Sequence, residues 1–233
     1  APTLPQVFDA FRRCCGGCAA DFYDLRLLEE LPGVPEGNPN AANTTKQILY
    51  QDVLMGQFDR HLAVQRDTYG SVKEWYRARQ AALAEAERRS PRYAANFHLY
   101  RVMADLLAEK AEVGLDIHAA YAAGDKAAMR QQIAVLEGLL PQYDALVLAW
   151  EDVWLATNKP FGFDVISTRL GGARGRVAYA AHRLGDWVEG KTDTLPELEE
   201  EQLFFDGRTE PLQNGTPLIC VNNWARIACA CPL

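Results

Sequence analysis

The chain has 233 residues, 48% hydrophobic and 24% charged, and a formal net charge of -7. That balance excludes an intrinsically disordered chain. No stretch approaches the twenty apolar residues of a bilayer span, and the negative charge works against binding nucleic-acid phosphates or an anionic membrane surface. The expected partners are proteins or neutral small molecules, and the expected organisation is one domain over residues 1–233 with no cofactor. Ala1-Pro-Thr-Leu-Pro5 lacks the charged start and apolar run of a signal peptide and reads as a linker or cut point in something longer.

From Pro5 to about Ala20, Val7, Phe8, Phe11 and Cys15 recur at helical spacing. Leu31 to Asn40 carries three prolines and two glycines, which predict a long loop. Ile48-Leu-Tyr50 is ambiguous between a short strand and an extended connector, and Val53 to Leu62 predicts a short helix. A denser helix follows Gly70-Ser71 and runs to Arg89, with Trp75, Ala82, Leu83 and Ala86 on one side. Ser90-Pro91 supplies a cap and a first-position proline for a helix to about Ala123, roughly 45 Å long, striped by Phe97, Tyr100, Met103, Leu107, Val113, Ile117 and Tyr121.

Ala123-Gly124-Asp125 is a compact stop and restart, so the next helix is expected as an antiparallel neighbour. It bears Met129, Ile133, Leu136, Leu140, Tyr143, Val147, Trp150 and Trp154, with a kink or break expected near Gly138 to Leu140 because Pro141 lies inside it. Pro160 ends it at Asn158. Asp164 is placed to cap the following helix, whose stripe is Ile166, Leu170, Ala173, Val177, Leu184 and Val188. Leu195 to Glu201 predicts a short acidic helix, Gly207 to Gly215 a loop, and Leu218 to Cys231 extended structure. The fold class is therefore all-α: a bundle of long antiparallel helices with a long N-terminal loop and a short extended C-terminal segment.

Few motifs carry chemistry. Leu170-Gly-Gly-Ala-Arg-Gly-Arg176 lacks the phosphate-loop pattern, and its glycines fall inside a helix; Gly171 and Gly175 predict instead the close approach of another backbone or a bulky ring. The four histidines are scattered, no Gly-x-Ser-x-Gly elbow is present, and Glu199-Glu-Glu201 reads as a solvated face. Asn43-Thr-Thr and Asn214-Gly-Thr match a glycosylation sequon, which matters only in a secreted eukaryotic protein. The cysteines cluster at the two ends. Cys15, Cys18, Cys229 and Cys231 could form a four-thiolate zinc site if the termini met, but the one-residue gap of the second pair suits zinc poorly. Reduced thiols packed as small hydrophobes, in an intracellular protein, are the preferred reading. Trp150, Trp154, Phe161, Phe163 and Trp187 are expected around the turn Asn158 to Gly162, where they either plug the end of the bundle or are presented to another domain or a carbohydrate cleft.

Residues 150–207 resemble the C-terminal helical domain of a bacterial subgroup of glycoside hydrolase family 20, the exo-acting β-N-acetylhexosaminidases. The resemblance is carried by Asn158-Lys-Pro-Phe-Gly-Phe-Asp-Val165, Arg169-Leu-Gly-Gly172, the spacing to the acidic segment, and Phe205-Asp-Gly207. Leu31 to Asn40, Ile48 to Asp59 and Asn223-Trp224-Ala-Arg-Ile also resemble that domain. The sequence departs from it at its cysteine-rich ends and at Val53, where proline is expected. The family's catalysis uses an adjacent Asp-Glu pair at the end of a barrel strand, with the substrate's acetamido group as nucleophile. No such pair occurs here. The resemblance implies a cytoplasmic bacterial enzyme in which this chain hydrolyses nothing alone and packs on the catalytic barrel of the same polypeptide. There it would shape the cleft for N-acetylhexosamine-containing glycans or a homodimer contact. Trp154, Asn158, Lys159, Phe161, Phe163 and Arg169 are the candidate cleft or docking residues.

Overall fold

The computed structural model describes residues 2–38 and 42–204. It is all-α, with no strand among the described residues. The elements in chain order are α1 (Leu4–Cys15), α2 (Ala19–Asp24), a 3-10 turn (Leu25–Leu28), α3 (Thr44–Tyr50), α4 (Asp59–Tyr69), α5 (Val72–Arg89), a second 3-10 turn (Pro91–Tyr93), α6 (Ala94–Lys110), α7 (Val113–Ala122), α8 (Lys126–Thr157), α9 (Phe163–Val188) and α10 (Pro196–Glu199). α5 packs on α6, α6 on α8, and α8 on α9, so the long helices form a layer in that order, while α3 wedges between α6 and α9. Leu106, Leu107, Ile117, Leu136, Leu139, Leu146, Leu170 and Leu184 are sealed in the interior. Each contributes about 1.5–3 kcal/mol of burial free energy.

Several boundaries differ from the sequence reading, each for a local reason. α1 stops at Cys15 because Gly16 takes a left-handed conformation (φ 73°), and α2 restarts at Ala19. Residues 48–50 are helical, and the helix expected over Val53–Leu62 begins only at Asp59, after a turn whose Val53 and Leu54 are buried. Ser90 does not cap with its side chain; its Oγ accepts the Cys18 N–H at 3.3 Å, and Pro91 opens a 3-10 turn. Pro141 does not break α8, which runs through all 32 residues. Pro141 and the flanking Glu137 and Gly138 all lie on its exposed side, where the carbonyl left without a partner faces solvent.

The predicted helix over 91–123 divides at Ala111-Glu112. Glu112 Oε1 accepts hydrogen bonds from Ser71 Oγ (2.8 Å), Val72 N (2.7 Å) and Lys73 N (3.3 Å), so its carboxylate caps α5. Lys110, two residues back, is drawn the other way into the core.

α8 is long and apolar enough, by length and composition alone, to cross a bilayer, contrary to the expectation that no segment comes near that limit. Its charges decide against that role: Arg130, Glu137, Asp144 and Glu151 recur every seven residues down one side, placing carboxylates at mid-membrane depth. The opposite side, with Leu136, Tyr143 and Leu146, packs on its neighbours α6 and α9.

The predicted loop over 207–215 and extended segment over 218–231 lie outside the described residues, as do Cys229 and Cys231. Cys14, Cys15 and Cys18 are free thiols.

Candidate docking site at the tip of the two longest helices

α8 and α9 meet in a turn held by its own side chains. The Asn158 N–H closes on Trp154 O (2.8 Å), and the Trp154 indole Nε1 donates to Lys159 O (2.8 Å) across the bend. Gly162 sits at φ 99°, and a Cβ there would lie 3.2 Å from the Trp154 ring. Only glycine fits both the backbone and the stacked indole. Asp164 is not the residue that opens α9; it lies in the first turn, and its Oδ1 accepts the Gly162 N–H at 2.9 Å. The turn is thus fixed by three local contacts rather than by burial.

The consequence is exposure. Phe161 is 91% solvent-accessible, and Leu148, Leu155 and Val165 are exposed on the adjoining surfaces of α8 and α9. Lys159 is exposed and, among the described residues, forms no ion pair. Phe163 and Trp154 are half-buried as the first residue of α9 and the clamp of the turn, and Asn158 donates from Nδ2 to Thr157 Oγ1 at 3.0 Å. Phe161, Phe163 and Trp154 therefore do not plug the bundle, whereas Trp150, one turn earlier on α8, packs against the core.

The aromatic grouping is smaller than expected. Trp187 belongs to the far end of α9, where it packs on Tyr121 with centroids 5.2 Å apart. There Tyr121 also accepts the Leu195 N–H (2.9 Å) and donates to Glu199 (2.7 Å), docking the acidic segment. Arg169, two turns into α9, faces Lys46 of α3; burial and the nearby Arg169 guanidinium pull the Lys46 ammonium below its usual range.

Gly171 and Gly175 lie on the exposed crest of α9. A Cβ at Gly171 or Gly175 would meet nothing within 4 Å, so the close approach predicted for them is made by nothing in the described chain. The arginines on either side of Gly175 strap the flanks: Arg174 Nη2 to Asp144 of α8 at 3.1 Å, and Arg176 Nε to Asp52 at 2.5 Å. Both guanidiniums are paired with carboxylates, which disposes of the phosphate-loop reading.

Sequence reasoning missed a polar set beneath α3, in which Glu29 is half-buried and Asp59 and Lys110 are fully buried. Glu29 accepts the Thr45 N–H (3.1 Å) and Oγ1 at the start of α3; burial raises its carboxyl to about 7 against the opposing pull of those bonds. At the other end, Lys110 Nζ donates to Leu49 O (2.8 Å), Gln51 O (2.9 Å) and Tyr143 Oη (3.0 Å), and burial lowers it to about 7. Asp59 accepts from Gln51 Nε2 at 2.7 Å and is raised by burial to about 6. Such shifts often mark active sites. Here the hydrogen bonds of Glu29 and Lys110 fasten the two ends of α3, and that of Asp59 holds Gln51 at its C-cap, which is structural work. The available signal was Lys110 itself, which falls on the apolar stripe three residues after Leu107 and seven after Met103.

The sequence matches the family described as Glycoside Hydrolase 20C C-terminal domain over residues 20–215. The chain belongs to that family. No curated protein matches it. As a C-terminal domain of a glycoside hydrolase family 20 protein, it is attached to a catalytic domain in the same polypeptide.

Proposed function

We propose that this C-terminal domain is a non-catalytic companion of an exo-β-N-acetylhexosaminidase, and that it docks on the catalytic barrel through the α8–α9 tip and the outer crest of α9. The observation that carries the reading is Phe161. A large apolar ring held in solvent by a rigid, glycine-dependent turn is the anatomy of an interface anchor. Lys159 beside it, and the exposed Arg169 two turns into α9, offer the polar contacts an interface rim requires. The open crest at Gly171 and Gly175 supports the same face, because two mid-helix glycines cost about 1 kcal/mol each relative to alanine and nothing within the described chain offsets that. Hydrolysis stays with the barrel, since this sequence has no Asp-Glu pair. The reading places the parent enzyme in the bacterial cytoplasm, following the family resemblance and the cysteine usage.

The test compares this chain and the full-length enzyme on an aryl N-acetylglucosaminide. The chain alone is expected to release no aglycone. Replacing Phe161 and Phe163 with alanine in the full-length enzyme lowers kcat/KM or melting temperature by loosening the domain contact. Turnover by the chain alone, or unchanged kinetics and melting in the double variant, removes the proposal.

A further inference from the structure

α5 forms the edge of the helix layer opposite α9. Between α5 and the α2–3-10 segment lies a recess of about 140 Å³, walled by Leu25, Leu28, Leu83 and Ala86. Its rim carries two arginines of different standing. Arg89 is neutralised by Asp21, donating from Nη2 to Oδ1 at 2.6 Å and from Nε to Oδ2 at 3.3 Å. Arg79 has no such partner. Its guanidinium stacks 4.4 Å over the Trp75 ring, and its Nε is buried without an acceptor. Among the described residues Arg79 forms no hydrogen bond and no ion pair. Trp75 is itself fixed, donating from Nε1 to Leu27 O at 3.0 Å, so the stacked guanidinium is held at the recess with unused donors.

The Nε is sealed off, so what Arg79 offers at the recess is its Nη groups, which have no acceptor, and a carboxylate is the group whose geometry fits that guanidinium edge. The walls below it are hydrocarbon. An apolar cavity of ~150 Å³ is enough to hold a benzene-sized body. Asp24, also on the rim, opposes negative charge on anything bound there, so the recess suits an anion with no more than the one charge that Arg79 offsets.

We infer that the recess between α2 and α5 binds a small apolar monocarboxylate, its carboxylate accepting from Arg79 and its hydrocarbon body lying against Leu25, Leu28 and Leu83. The site is at the opposite edge of the layer from the docking tip, so it stands or falls independently of the proposed function.

The 233-residue chain is titrated with 3-methylbutanoate and, separately, with 3-methylbutanamide, following the Arg79 Nε–H and Trp75 indole N–H resonances. The acid is expected to shift both signals saturably, and the amide to shift neither. Arg79→Met weakens binding of the acid by about tenfold or more, the loss of a charge-assisted hydrogen bond. Should that variant unfold, Ala82→Phe carries the test, because it fills the open side of the recess with Arg79 intact and is expected to abolish the shifts. No saturable shift with the acid, equal binding of the amide, or undiminished binding in Ala82→Phe overturns the assignment.

Discussion

Replacing Gly171 and Gly175 together with alanine separates what the isolated chain needs from what the assembled enzyme needs. At both positions an added Cβ meets nothing within 4 Å, so the substitution introduces no clash within the described chain. What remains is helix propensity, worth about 1 kcal/mol per site in a helix interior, with an added contribution from the smaller entropy of the unfolded chain. The two sites lie one turn apart and share no partner, so the double variant is expected to gain ~2 kcal/mol. For a chain of this size that corresponds to roughly 4–8 °C in melting temperature. Urea and thermal unfolding of the 233-residue chain measure it. In the full-length enzyme the same methyl groups stand where the catalytic domain is proposed to approach, so domain contact and activity are expected to fall instead. An isolated chain that gains nothing refutes the open crest. A full-length enzyme that gains the same stability at unchanged activity refutes the crest as a docking face.

Three further expectations concern the interior. Gly114→Ala pushes a methyl into the carboxylate of buried Asp59, and overpacking of this kind lowers stability by about 1–3 kcal/mol in urea unfolding; a neutral result would mean that Asp59 can move aside. Tyr143→Phe removes the hydroxyl that donates to Leu49 O (2.6 Å) and accepts from Lys110, and the loss is held to ~1–2 kcal/mol because Lys110 still satisfies Leu49 O. Glu29, with a folded pKa raised to about 7 from an unfolded value near ~4.3, stabilises fully below the unfolded value, and that contribution is lost as pH rises through about 7. Glu29→Gln removes the titration, so the stability difference between wild type and variant is expected to shrink or change sign by an amount on the order of 3 kcal/mol between pH 4 and pH 7. A pH-independent difference in urea unfolding would show that Glu29 does not titrate there.

The long helices were legible because their buried faces repeat at intervals of three and four. Leu136, Tyr143 and Val147, or Leu170, Ala173 and Val177, mark one side with little ambiguity. The division at Ala111 also left a trace, since Leu107 and Val113 are six apart and break that rhythm. Its cause was not readable, because Glu112 caps a helix whose first residue lies 40 positions earlier in the chain. α3 was opaque for a related reason. Five of its residues are buried, three of them Thr44, Thr45 and Gln47, so it has no polar-apolar contrast to read. Its ends are also held by Glu29 and Lys110, which lie far away in sequence. At the tip, Pro160 and Gly162 announced a turn, but composition could not place Trp187, which α9 carries more than 30 Å away at 1.5 Å per residue. The α9 glycines were noticed for a packing partner that the described chain does not supply.

These features bear on the docking proposal through rigidity. A helix offered to a partner loses affinity if binding must first freeze it. α9 is already held along its flanks: Arg174 ties it to α8, Arg176 to the turn after α3, and Arg183 Nε reaches Glu197 of α10 at 3.3 Å. α3, on which α9 also rests, is fixed at its N-terminus by a carboxylate and at its C-terminus by an ammonium, the arrangement that the helix dipole favours at each end. Fastened at its sides and bare along its crest, α9 can present backbone at close range while Phe161 supplies the apolar anchor beside it. The polar residues beneath α3 thus help set the position of a surface they never touch, which gives the perturbed acids and the perturbed lysine a structural role.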